Sequence, residues 1–323
     1  MLLWWVAGCI GAIDQPMDVL DATPVVFEVP KGSSAGGLGP ALMDAGLIPD
    51  TLTWKLYLKR DKAGGCLKAG RFELTRAMSM PELLETMCKA PIADEVQVTF
   101  VEGWRMREID AELSRLGLIE AGTYWAAAKD PGRFELPGGL SGLTSLEGLL
   151  LPESYSVPAN GVDVEVLIQR QLDLLDSRFV QPNQAAINAS GRSLYELLIV
   201  ASMLEREEPR PSNRPVVAGV MWKRLDNAWN LGIDATSRYT LADWNDRKAF
   251  LRQLRDPNDV YNTRLRGGLP PTPIGNASTE SLKAALSPEG SAYWYYLHDS
   301  KGNLHPGRSL AEHNALKRKY DVY

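Results

Sequence analysis

Ser193-Leu-Tyr-Glu-Leu-Leu-Ile-Val-Ala-Ser-Met-Leu-Glu-Arg-Glu-Glu208 opens on a capping box, Ser193 with Glu196 three residues on, and is closed by Pro209. Between those signals it is a strongly apolar helix. Leu194, Leu198, Ala201 and Glu205 are spaced by 4, 3 and 4 and share one face. That face is apolar until it meets a carboxylate. Glu208 lies one turn on, roughly 60° away, and reaches the same cleft, whereas Arg206 and Glu207 point elsewhere. Desolvation on the buried side favours the protonated acid. A Glu protonated near neutrality is the general acid that glycosidic cleavage requires. The plainer reading is that an apolar helix ends in charges because it reaches solvent.

Outward from this helix the C-terminal half reads as mainly helical. One helix is capped by Asp163 and runs to about Phe179, another starts near Asn213–Pro215 and runs to Leu225, and a last one spans Ser309–Tyr320 with a basic end. Gly267-Gly-Leu-Pro-Pro-Thr-Pro-Ile-Gly275 breaks the series as a stiff, extended wall or a rigid linker. The N-terminal half differs. Val25–Val29 is a strand pattern, and from Gly32 apolar or small residues fall at Leu38, Leu42, Gly46, Leu47 and Ile48. A second strand pattern, Val96–Val101, precedes Gly103, and the same offsets give Ile109, Leu113, Gly117, Leu118 and Ile119. Two strand–Gly–helix–Gly units are therefore expected, each helix closed by a C-cap glycine. Between them lie a strand near Lys68–Thr75 and a helix capped by Ser79. The fold class is α+β: small N-terminal strand–helix units before a mainly helical domain. The expected divisions are 1–21, 22–95, 96–130 and 131–323.

With 35 Lys+Arg against 40 Asp+Glu, the net charge of −5 disfavours a nucleic-acid binder driven by a basic field. Glycines 32, 36, 37 and 39 lack the Gly-Lys-Ser/Thr that would make a phosphate loop. No G-x-S-x-G, H-E-x-x-H or C-x-x-C occurs. His298, His305 and His313 crowd into the last 30 residues but make a poor case for a metal. Cys66 and Cys88 suit one disulfide in an oxidising compartment or two buried thiols. Met1–Ile13 is apolar and uncharged but shorter than the roughly 20 residues of a membrane span. It reads as an anchor or signal remnant, or a buried element. Val6-Ala-Gly-Cys9 also looks like a lipoprotein processing box, with Cys9 the lipidated residue.

Four blocks, in order, carry a family resemblance: Phe100-Val-Glu-Gly-Trp-Arg-Met-Arg-Glu-Ile109, Ser145-Leu-Glu-Gly-Leu-Leu-Leu-Pro-Glu-Ser-Tyr155, Ala201-Ser-Met-Leu-Glu-Arg-Glu207 with the helix after it, and Tyr261-Asn-Thr-Arg-Leu-Arg-Gly-Gly-Leu-Pro-Pro-Thr-Pro-Ile-Gly-Asn276. With these the chain resembles the bacterial YceG-like endolytic murein transglycosylases from about Val25 onward. The resemblance implies a membrane-anchored enzyme facing the periplasm or cell surface that cuts nascent peptidoglycan strands internally. It implies LysM-like glycan-binding N-terminal units and, as partners, cell-wall synthases. Glu205 matches the catalytic glutamate. In the family's L-Q-[ST]-D-P-T block only Leu231, Asp234 and Thr236 fit; Gly232, Ile233 and Ala235 depart from it, and the missing Gln removes a contact to sugar or backbone.

On this reading Glu205 protonates the glycosidic oxygen between N-acetylmuramic acid and N-acetylglucosamine. It then takes the proton of the sugar's own 6-hydroxyl as a 1,6-anhydro ring closes. The nucleophile is intramolecular, so effective molarity replaces an activated water. Asp234, Thr236, Tyr261, Asn262 and Asn276 are expected to line or brace the cleft, and Glu153 to lie near it. Tyr155 is either a sugar-stacking ring or core. A hydrolase with a second carboxylate, among Glu208, Glu153 and Asp234, stays open, ~5–5.5 Å away if retaining or ~6.5–9.5 Å if inverting. So does a non-catalytic glycan-binding scaffold. No metal or organic cofactor is required by either catalytic route.

Overall fold

The computed structural model describes residues 12–92 and 94–322. The expected anchor or signal segment over Met1–Gly11, with Cys9 as a lipidated residue, lies outside the described residues. The chain divides into two compact units, residues 1–94 and 95–323.

In the first unit the order is β1 (Val25–Val29), a 3-10 turn leading into α1 (Gly39–Asp44), α2 (Thr51–Arg60), β2 (Gly70–Leu74) and α3 (Met80–Cys88). β1 and β2 pair antiparallel with Phe27 opposite Phe72. Alternation then puts Phe27, Val29, Phe72 and Leu74 on one buried face. Asp50 caps α2 through the N–H groups of Leu52 and Thr53. On that helix Trp54 is fully buried and donates its indole N–H to the Ala35 carbonyl at 2.7 Å. Ser79 and Glu82 form the capping box of α3. Cys66 and Cys88 are joined in a disulfide closing a 22-residue separation. Loop closure of that length is worth about 3 kcal/mol. Reduction, or the double change Cys66→Ser with Cys88→Ser, should therefore lower the stability of this unit by about 3 kcal/mol, read from urea unfolding with and without reductant.

The second unit runs β3 (Glu95–Thr99), α4 (Met106–Arg115), α5 (Thr123–Ala128), β4 (Ser154–Pro158), α6 (Val164–Leu175), α7 (Gln181–Ala189), α8 (Leu194–Glu207), α9 (Arg214–Asp226), α10 (Asp234–Arg238), α11 (Arg247–Gln253), α12 (Thr279–Leu286), β5 (Tyr295–His298), β6 (Leu304–Gly307) and α13 (Leu310–Tyr320). β3 pairs antiparallel with β4, and β5 with β6. Mixed helices with small antiparallel sheets make the chain α+β. The two glycine-closed helices end alike. Gly46 and Gly117 adopt φ +69° and +71°. Leu47 N donates to Leu42 O, and Leu118 N to Leu113 O, each at 3.0 Å. A left-handed residue after the last turn is the geometry a C-cap glycine supplies without steric cost.

One helix is longer than the sequence signals suggest. Instead of stopping near Phe179, α6 passes through a π turn at Asp176–Val180 into α7. The wider turn shifts the hydrogen-bond register, so Pro182, which has no N–H, falls in the first turn of α7. The centre of the unit is α8. Leu197, Leu198, Val200, Ala201, Met203 and Leu204 are all at most 1% exposed. A helix buried on all sides has no solvent-facing polar stripe until its last turn. The shared face of Leu194, Leu198 and Ala201 therefore runs along the core until it reaches Glu205 in the last turn.

Candidate active site

Three carboxyl groups at the end of α8 meet three different surroundings. Glu205 is locked. Its Oε1 receives Arg214 Nη2 at 2.7 Å, and its Oε2 receives Ser278 Oγ at 2.6 Å and Ser278 N at 2.9 Å. Arg214 also donates to Glu208 O at 3.0 Å, and Ser278 caps α12. Both members of the ion pair are nearly buried, at 6% and 7% side-chain exposure. Glu205 thus ties α8 to the starts of α9 and α12. Glu208 is fully buried and receives the Arg210 N–H at 2.8 Å, with His298 Nε2 at 2.9 Å.

Glu207 faces a cavity. It lies about 200° around the helix from Glu205. Its carboxyl lines a polar cavity of about 390 Å³ with Arg224, Leu231, Gly232, Asp234, Arg264, Tyr295, Tyr296 and His313. Burial raises its pKa, and the nearby Asp234 carboxylate raises it further, against a hydrogen bond from Tyr296. Tyr296 Oη donates to Oε2 at 3.2 Å. Burial keeps that phenol protonated, and so a donor. Asp234 is held by Arg264 Nε at 2.5 Å. β5 therefore clamps the helix end twice, with Tyr296 on Glu207 and His298 on Glu208.

The residues expected from sequence part into two groups. Asp234 lines the cavity. Thr236, Asn262 and Asn276 are at most 1% exposed; the first two brace the segments that line it. Thr236 Oγ1 donates to Ile233 O at 2.7 Å, and Asn262 Nδ2 to Leu254 O at 3.0 Å. Asn276 knits three of the sequence blocks together. Its Oδ1 accepts from Gly148 N and Leu150 N at 2.9 and 3.0 Å, its Nδ2 donates to Trp104 O at 2.9 Å, and its carbonyl accepts from Gly103 N at 2.6 Å. The Tyr261 ring packs at a tilt against that of Tyr239, 4.7 Å between centroids, and its hydroxyl hydrogen-bonds Thr272. Tyr155 is core: it is 4% exposed, its hydroxyl donates to Leu151 O at 2.6 Å, and its ring lies 5.6 Å from that of Phe100. Glu153 pairs with Arg178 at 2.8 Å and lines a separate depression toward Ser278 and Glu280. Glu147 is buried beneath the first turn of α4, receives Met106 N and Tyr239 Oη at 3.1 Å each, and is pushed up to about 8 by burial. The histidines serve packing and pairing: His305 contacts Asp299 and stacks on Tyr320, and His313 stacks on Tyr295.

The cavity also takes in Glu207, Arg264 and Tyr296, which sequence spacing does not single out. Glu207 lies off the apolar face of α8 that the spacing defines. Tyr296 lies 89 residues further on, where no local pattern links it to α8.

The convergence of blocks makes the site intolerant of bulk. A Cβ on Gly275 would sit 2.3 Å from Gly103 O, at φ +157°. Gly275→Ala should cost on the order of 2–3 kcal/mol, seen as a lower denaturation midpoint at unchanged m-value.

Comparison with known proteins agrees in extent. The YceG-like family profile matches residues 27–319. An endolytic murein transglycosylase of Bacillus subtilis is 26% identical over 322 residues, covering 95% of this chain and 87% of that protein. One of Streptococcus pneumoniae is 26% identical over 327 residues, covering 93% of this chain but 59% of that longer protein. A crystal structure of a YceG-like protein from Listeria monocytogenes aligns with a TM-score of 0.61 at 26% identity, covering 91% of this chain and 99% of that one.

Proposed function

The chain belongs to the YceG-like family, and on that premise we propose that it is a lytic transglycosylase cutting nascent peptidoglycan strands internally, with Glu207 as the acid. The sequence-based choice, Glu205, is committed to Arg214 and Ser278. Glu207 instead faces a polar cavity with its pKa raised by burial and by Asp234. That single observation carries the reading.

The step begins with the Glu207 proton passing to the glycosidic oxygen between N-acetylmuramic acid and N-acetylglucosamine. The bond from the anomeric carbon to that oxygen breaks, and positive charge develops on the anomeric carbon. Asp234, of opposite sign and fixed by Arg264, stabilises that charge. The sugar's own 6-hydroxyl then attacks, its proton passes to the Glu207 carboxylate, and a 1,6-anhydro end forms. The acid is regenerated and no water is consumed. Activity is therefore present below the raised pKa of Glu207 and lost as pH climbs through it.

The N-terminal strand–helix units act as LysM-like glycan-binding modules in this reading, and the Cys66–Cys88 disulfide suits an oxidising, extracytoplasmic setting. Membrane attachment through the N-terminal segment and contact with cell-wall synthases follow from the family resemblance. The test is the time course of strand length on uncrosslinked glycan. Internal cutting shortens the mean length before small fragments accumulate. Release of small fragments from the start means an exo-acting enzyme, and unchanged strands with a folded protein mean a binding scaffold.

A further inference from the structure

An exposed aromatic shelf adjoins the Glu207 cavity, and nothing in the cleavage step uses it. Trp229, at the end of α9, is 40% exposed. One side of its ring is packed by Trp294 at a 36° tilt, 4.8 Å between centroids, the Tyr295 ring meets it nearly edge-on at 5.7 Å, and the Arg224 guanidinium lies 5.9 Å from its centre. The shelf is rigid. Arg224 donates to Trp294 O through Nε and Nη2, at 2.9 and 2.5 Å, and to Leu231 O through Nη1 at 2.6 Å. Lys223 Nζ lies 4.3 Å from the centre of the Trp294 ring. Arg224 and Tyr295 belong both to the shelf and to the wall of the cavity. The shelf is thus continuous with the site.

The turn that presents Trp229 is itself strained. Ala228 takes φ +52° just after Asn227, the C-cap of α9, a position that suits Gly or Asn. Beside it, the wall carries Gly232 where the family pattern has Gln, so this part of the cavity offers a sugar no side-chain amide. What it offers is a flat, half-exposed indole. Pyranose rings present an apolar face of axial C–H groups, and an electron-rich aromatic ring with its other face already packed is the surface such a ring covers.

We propose that Trp229, backed by Trp294 and Tyr295, is a stacking subsite for one further N-acetylated pyranose of the strand, next to the cavity that holds the scissile bond. The proposal rests on the glycan reading of that cavity. It makes Trp229 a determinant of how long a strand segment is gripped, acting on affinity and not on the proton transfers.

The probe is a length series of N-acetylglucosamine oligomers, titrated into the full chain while the indole N–H signals are followed by NMR. The Trp229 signal is assigned by its absence from Trp229→Phe. The wild type is expected to gain affinity with oligomer length and to shift the Trp229 signal only with the longer members. Trp229→Ala should bind long oligomers roughly tenfold more weakly and the shortest binding oligomer as the wild type does, while Trp229→Phe keeps most of the length-dependent gain. Equal length dependence in wild type and a folded Trp229→Ala would overturn the subsite and leave the glycan reading of the cavity intact. No binding of any oligomer by the wild type would overturn that glycan reading and the subsite with it. If Trp229→Ala does not fold, a Trp229 signal unmoved by the longest oligomer in the wild type is the contradicting result.

Discussion

Glu207→Gln is expected to lower the rate of strand cleavage about a thousandfold, within the roughly hundred- to ten-thousand-fold worth of a general acid. The amide keeps the shape of the side chain and an oxygen to accept the Tyr296 hydroxyl, but it has no proton to give to a leaving oxygen and cannot take one back. The fold should not suffer. Burial raises the folded-state pKa of Glu207 above its unfolded value. For an acid this sign means that the native state resists an ionisation the unfolded chain undergoes freely. Stability on this account is fully present below the unfolded pKa and is lost as pH rises from there through the raised folded pKa. A neutral isostere removes that loss, so Glu207→Gln should be as stable as the wild type or slightly more so at neutral pH. Loss of rate without loss of stability is the signature, read from initial rates and thermal melts on the same preparation.

Arg214→Ala is expected to be the opposite case, costing roughly 3–5 kcal/mol of stability. It removes the guanidinium from a nearly buried carboxylate and strips a donor from both Glu208 O and Ser278 Oγ. The remaining bonds from Ser278 do not neutralise Glu205. Arg214→Lys should recover only part of the loss, because an ammonium cannot donate to both carboxylate oxygens and to the Glu208 carbonyl at once. Urea unfolding measures both. Glu205→Gln belongs with this class: it weakens a structural tie, and its effect on rate should follow its effect on the folded fraction.

Local signals in the sequence carried the N-terminal unit and the helical frame. Ser79 with Glu82 and Ser193 with Glu196 cap the helices they begin, and Gly46 and Gly117 close theirs with matching geometry. These features depend on residues within one or two turns, so spacing reveals them. The site was legible only in part. Asp234 lines the cavity, Thr236 and Asn262 lie in its supporting layer and Asn276 ties other blocks together, but spacing does not separate a lining residue from a bracing one. The choice between Glu205 and Glu207 turns on what lies opposite each face of α8. Arg214 and Ser278 stand on one side, and a hairpin from the far end of the chain on the other. Long-range packing of this kind leaves no period in the sequence. The same holds for the shelf: Trp229 and Trp294 are neighbours only because α9 and β5 come together.

The most direct measurement is mass spectrometry of the ends produced when the protein cuts uncrosslinked glycan strands in heavy-oxygen water. Attack by the sugar's own 6-hydroxyl predicts 1,6-anhydro ends with no solvent oxygen incorporated, and their disappearance in Glu207→Gln. Reducing ends carrying the heavy isotope, or anhydro ends that persist at the wild-type rate in Glu207→Gln, would contradict it.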